Sequence, residues 1–228
     1  MASLKLYFDM MSQPSRSVVL LLKANKVPFV PHLINLAKGA QYSDEEFVDV
    51  SPTKRVPALK DGDMKLFEST AMMKYICAKY QLADHWYPKD LEKRAKIDEY
   101  LSWHHTNTRL AAVSIIWGKL FGPLLLGKPV NEHKIKNGKK QMEDCMKIYD
   151  NHFLKDTPFL SSKEISIADV LAICEFSQLE LLDENLVELS SKVKDWQKRC
   201  VDYFGEDYQQ VHSILYKMKA SLSKRPKL

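Results

Sequence analysis

The chain has 228 residues, 45% of them hydrophobic and 28% charged, the balance of a globular protein whose core closes without disulfides or structural metal. Cys77, Cys145, Cys174 and Cys200 lack paired C-x-x-C spacing, which excludes a zinc ribbon or dithiol redox motif and suggests reduced buried thiols. The net charge of +5 is partly local, in Lys217, Lys219, Lys224, Arg225 and Lys227; with acidic residues interspersed elsewhere, no polyanion-binding face and no nucleic-acid partner are expected.

Leu4 to Phe8 reads as a short strand. Ser12-Gln13-Pro14 opens a helix, because serine caps well and proline is tolerated in a first turn. The run Val18 to Leu22 is apolar all round, so this helix is buried on most sides. Phe29 to Ile34 reads as a second strand, and Lys38 to Asp49 as a loose polar helix. Pro57 to Lys60 and Lys65 to Phe67 flank Asp61-Gly62-Asp63, a hairpin signal. Glu68-Ser69 then starts a helix through Met72, Met73 and Ile76 to about Tyr80. The order predicts a small α/β layer with a mixed sheet.

Residues 82–90 read as a linker, and nearly everything after them as helix. Helices are predicted from Leu91 to Thr108, then, after a break at Gly118 to Pro129, up to about His152. Ser166-Ile167-Ala168-Asp169 is a capping box in aspartate form, with Ile165 and Val170 at the positions of a hydrophobic staple. Further helical patterns cover Ser177 to Leu189, Lys192 to Phe204 and Tyr208 to Leu222.

Several motifs fail. Gly122 to Lys128 has P-loop spacing, but Pro129 replaces the Ser or Thr and no strand precedes it. There is no G-x-G-x-x-G, H-E-x-x-H or G-x-S-x-G, and His104 and His105 diverge by about 100° on a helix; no metal site is expected. No stretch has the apolar length to cross a bilayer, and Lys5, Asp9 and Arg16 interrupt any secretory signal. A cytoplasmic protein without membrane partners is expected.

The joint order of Ser12-Gln13-Pro14-Ser15-Arg16, Lys38-Gly39, Val56-Pro57-Ala58-Leu59-Lys60-Asp61-Gly62, Glu68-Ser69, Trp86-Tyr87-Pro88, Asp98-Glu99-Tyr100-Leu101 and Ser166-Ile167-Ala168-Asp169 resembles the cytosolic glutathione transferases of the theta class, over nearly the whole chain. The resemblance implies a thioredoxin-like α/β domain at 1–81 that binds glutathione, a linker at 82–90, and an all-α domain at 91–228 with the electrophile site. It also implies a homodimer, with glutathione as co-substrate and no metal. The expected activity is detoxifying transfer of glutathione to small hydrophobic electrophiles such as halides and epoxides, or peroxide reduction. A non-catalytic relative that binds ligands or partners is the alternative.

The resemblance makes Ser12 the hydroxyl that holds the glutathione thiolate, and local sequence makes it a helix cap; both roles need the start of a helix. Tyr7 is the rival, since other classes use a tyrosine at the end of the first strand. Val56, before a proline expected in cis, is to meet the cysteinyl backbone. Glu68 and Ser69 are to hold the γ-glutamyl end. Gln41, where theta-like relatives often carry histidine, and Arg55 are to hold the glycyl carboxylate, with Lys54 or Lys38 as substitutes. Arg109 is to approach the same site. Met11, Trp117, Phe121 and Leu124 are the expected electrophile pocket, and the short chain after the last helix suggests an open one.

Overall fold

The computed structural model describes residues 4–182 and 186–224. A four-stranded mixed sheet has the order β2-β1-β3-β4. The central strand β1 (Lys5–Phe8) pairs in parallel with β2 (Val30–Leu33) and antiparallel with β3 (Ala58–Asp61), which pairs with β4 (Met64–Phe67). A parallel neighbour demands a crossover, which α1 (Gln13–Ala24) supplies. Gly62, at φ 61°, makes the β3–β4 hairpin turn where a left-handed residue is needed. The polar stretch expected as one loose helix is three pieces: a 3-10 turn at Leu36–Lys38, α2 (Ala40–Ser43) and α3 (Glu45–Val50). Asp44 separates the last two, accepting from Phe47 N at 2.9 Å as the cap of α3.

The sheet region closes with α4 (Ser69–Lys79), and the helical region follows with α5 (Leu91–Thr106), α6 (Thr108–Ile116), α7 (Gly122–Leu126), α8 (Glu132–Ile148), α9 (Ile167–Leu179), α10 (Ser191–Phe204) and α11 (Glu206–Leu222). The helix predicted over 91–108 is interrupted at Asn107, whose ψ of −94° leaves helical geometry. The break predicted at Gly118 to Pro129 shrinks to residues 127–131. Before it, Trp117–Phe121 forms a π-helical turn that runs into α7. Its glycines permit close approach instead of ending the helix: a Cβ on Gly118 would lie 2.9 Å from Ile135 Cγ1 of α8, and one on Gly122 2.7 Å from Trp117 O. The pattern predicted for Ser177 to Leu189 is the end of α9 and two 3-10 turns, Glu180–Leu182 and Leu186–Leu189; residues 183–185, like Arg225 and Lys227 of the basic cluster, lie outside the described residues.

One expectation about apolar length needs correcting. The helical path Leu91–Leu126 contains an 18-residue window of mean hydropathy 1.4, long and apolar enough to cross a bilayer. Part of that apolarity is used in packing, because Ala111, Ala112, Ile115 and Ile116 of α6 are buried where α8 and α9 meet it.

The core is continuous from sheet to helices. Leu6 and Phe8 of β1 and Val18 to Leu22 of α1 share one cluster with α9, α10 and α11. All residues of α9 are buried. Its start is built by the predicted capping box: Ser166 Oγ accepts from Ala168 N, and Asp169 Oδ2 accepts from Ser166 N at 2.8 Å. The four cysteines are buried and free.

Where α1 meets α9 and α11, the fully buried Arg16 donates to Cys174 O at 3.1 Å and Gln178 Oε1 at 2.7 Å. Beside it, burial and then the Arg16 charge push the pKa of His212 down to about 3. An unfolded histidine titrates near pH ~6.5. Between these values the unfolded chain binds a proton that the folded chain refuses, so His212 stabilises the fold above pH ~6.5 and this contribution is lost on acidification. We expect denaturation free energies to fall by up to about 1.4 kcal/mol per pH unit from this residue between pH ~6 and ~4, and the slope to lose about one proton in His212→Gln. An unchanged slope in that variant would rule out the assignment.

Candidate active site

Ser12 ends the turn between β1 and α1. Its extended backbone (φ −83°, ψ 123°) lets Oγ cap α1, accepting from Ser15 N at 3.4 Å. The turn is tied on several sides. Asp9 accepts from Met11 N at 2.8 Å and from Leu36 N at 3.0 Å. Arg16 donates to Met10 O at 2.9 Å. A hydroxyl has one donor and two acceptor lone pairs. The cap uses an acceptor site, and the Ser12 proton has no acceptor among the described residues.

Tyr7 occupies the other face of the sheet. Strand alternation sends Leu6 and Phe8 toward α1 and Tyr7 away from it, into a small cluster with Ile34, Phe47, Val50 and Ala58. Its hydroxyl donates to Glu46 Oε1 at 2.7 Å. Burial, reinforced by the Glu46 carboxylate, raises this phenol well above the ordinary tyrosine range. Its proton is committed to Glu46.

A cleft of about 270 Å³ opens where the sheet region meets α5, α6 and α9. It brings together the expected Arg55, Val56, Glu68, Ser69 and Arg109, together with Pro14, two residues beyond Ser12. The Val56-Pro57 bond is cis. Glu68 sits at φ 77°, and its side chain makes no cap bond to α4. Ser69, nearly buried, is the first residue of that helix, so unpaired amides and the positive end of the helix dipole face the cleft wall.

The other expected residues, Ser12 and Tyr7 among them, do not join this lining. Gln41 lies on α2, its side-chain oxygen buried without a partner. Lys54 has its ammonium 5.8 Å from the Tyr42 ring centroid. Met11 and Phe121 pack in part against the core. Trp117 and Phe121 meet edge to face with centroids 5.8 Å apart. Trp117 lines a separate cavity of about 460 Å³ with Leu126, Lys128, Pro129 and Val130, and Leu124 is exposed near it in sequence.

Two family models match the chain, "Glutathione S-transferase, N-terminal domain" over residues 2–78 and "Glutathione S-transferase, C-terminal domain" over residues 112–202. The chain is 39% identical to mouse "Glutathione S-transferase theta-3" over 217 residues, covering 95% of this chain and 90% of the relative. It is also 39% identical to "Glutathione S-transferase T1" of Arabidopsis thaliana over 232 residues, 99% of this chain and 94% of that one. It belongs to the glutathione S-transferase family. Among solved structures, a human theta-class glutathione transferase in complex with the glutathione conjugate of 1-menaphthyl sulfate superposes with a TM-score of 0.91 at 35% identity, over 97% of this chain and 91% of that one. This chain is a glutathione transferase with a thioredoxin-like α/β region and an all-helical region.

Sequence reading of this glutathione transferase missed Thr53, His104, His105 and Leu171, which line the cleft, and Glu175 behind them. Burial and then the His104 and Arg109 charges lower the pKa of His105, so the lasting positive charge in the lining is that of Arg55 and Arg109. Arg109 Nη1 donates to Glu175 Oε2 at 3.0 Å. Burial opposes ionisation of Glu175 most strongly, yet His104 and Arg109 outweigh it and hold the carboxyl below its usual range. The available signal was a second acidic residue, after the capping Asp169, in the largely apolar helix Ile167–Leu179.

Proposed function

We propose that this glutathione transferase activates its co-substrate at Ser12, whose hydroxyl donates to the glutathione sulfur and keeps it a thiolate for attack on a small hydrophobic electrophile. The observation that carries this reading is a contrast between two hydroxyls: that of Ser12 has no acceptor among the described residues, while that of Tyr7 donates to Glu46. A free thiol has a pKa of about 8.5 and is mostly protonated at neutral pH. One hydrogen bond to the charged sulfur contributes about 1.5–3 kcal/mol, and the N-terminus of α1 about 0.3–1 kcal/mol more. Together these suit the roughly 2.7 kcal/mol that a hundredfold gain in thiolate requires.

In this reading Glu68 accepts from the γ-glutamyl ammonium, Ser69 and the α4 N-terminus hold its carboxylate, Val56 pairs with the cysteinyl backbone, and Arg55 takes the glycyl carboxylate, with Gln41 beyond it. Arg109 approaches from α6. For the halide, epoxide or peroxide substrate this reading takes Met11, Trp117, Phe121 and Leu124, which stand outside the glutathione cleft. The division at 1–81, 82–90 and 91–228, a homodimer and a cytoplasmic location belong to the same reading. Detoxification would follow from conjugate formation.

Calorimetric titration of the full chain with glutathione tests the cradle. We expect Ser69→Ala and Glu68→Ala each to weaken binding by about tenfold, as the loss of one charge-assisted hydrogen bond requires. Wild-type affinity in both variants would remove this cradle from consideration.

A further inference from the structure

Among the described residues, Glu175 is the one buried carboxylate whose hydrogen bonds reach both the Ser12 turn and the cleft. Its Oε1 accepts from Gln13 Nε2 at 3.2 Å, across 162 residues of sequence. Its Oε2 accepts from Arg109 Nη1 at 3.0 Å and lies 3.7 Å from His104 Nε2. Gln13 is the residue next to Ser12, and Arg109 and His104 line the cleft. The platform that carries Glu175 is rigid: α9 is buried throughout, its start is fixed by the Ser166–Asp169 box, and one residue earlier Cys174 O receives Arg16. The other tethers of the turn, Asp9 to Met11 and Arg16 to Met10, act on the residues before Ser12. Among the described residues, the Gln13–Glu175 bond is the side-chain tether on the residue after it.

We propose that Glu175 is a positioning residue for thiolate formation: by accepting from Gln13 and Arg109 at once, it fixes the Ser12 turn relative to the cleft. This inference rests on the Ser12 reading. Its sign separates it from a simple charge effect. A carboxylate near the site disfavours a second anion, so deleting its charge without moving the turn would increase the thiolate. A role confined to stability would shift the unfolding midpoint and leave the thiolate of the folded complex alone. Loss of positioning lowers the thiolate.

The test is the thiolate absorbance of the full-length protein saturated with glutathione, titrated with pH, alongside the unfolding midpoint. Glu175→Gln leaves one carbonyl oxygen to serve two donors, and its amide opposes the other donor. Gln13→Leu removes the tether and leaves the Glu175–Arg109 pair in place. In each we expect about three- to tenfold less bound thiolate at neutral pH, a fraction of what a whole hydrogen bond to the sulfur provides. A wild-type or larger thiolate fraction in Gln13→Leu and in folded Glu175→Gln, beside a clear loss in Ser12→Ala, would overturn the inference alone. If Glu175→Gln does not fold, Gln13→Leu decides by itself. A wild-type thiolate in Ser12→Ala would remove the underlying reading and this inference with it.

Discussion

Asp169→Ala is expected to lower the unfolding free energy by about 4 kcal/mol, the largest stability loss of any single change considered. Asp169 is completely buried, and its carboxylate serves four donors: Ser166 N at 2.8 Å, Ser166 Oγ at 3.1 Å, Leu160 N at 2.9 Å and Trp196 Nε1 at 2.8 Å. Burial pushes its pKa up to about 6 against these bonds, so it remains a carboxylate at neutral pH. Alanine leaves three buried N–H groups unpaired at about 1–3 kcal/mol each before relaxation. It also unties the loop before α9 from Trp196 of α10. Guanidinium denaturation followed by far-UV dichroism measures this. A loss under about 1 kcal/mol would show that water enters and replaces the bonds.

The same residue marks how far sequence reading reaches. The Ser166–Asp169 box is local, three residues apart, and its spacing alone specifies the helix start. The hairpin at Gly62 and the all-apolar face of α1 are legible for the same reason: each is a rule about neighbours in the chain. The bonds from Asp169 to Leu160 and Trp196 are not local, and no period predicts them. Glycine was misread at 118 and 122, where turn propensity and close helix packing make opposite use of a missing Cβ. Here the π-helical turn and α8 require it.

The cleft was legible in part. Arg55, Val56, Glu68, Ser69 and Arg109 stand on different elements and converge only through the fold, so their grouping came from resemblance and not from spacing. Glu175, His104 and Gln13 form a contact across α9, α5 and α1 that no single segment contains. The choice between Ser12 and Tyr7 turns on contacts that neither segment states: Tyr7 donates to Glu46, 39 residues away, while the Ser12 hydroxyl has no acceptor among the described residues.

The most direct measurement is the ultraviolet thiolate absorbance of glutathione bound to the full chain, followed with pH in the wild type, Ser12→Ala and Tyr7→Phe. We predict that the signal survives at neutral pH in Tyr7→Phe and falls about a hundredfold in Ser12→Ala, the equivalent of about 2.7 kcal/mol, with conjugation rates falling in parallel. Loss of the signal in Tyr7→Phe, or its persistence in Ser12→Ala, would contradict a serine-held sulfur.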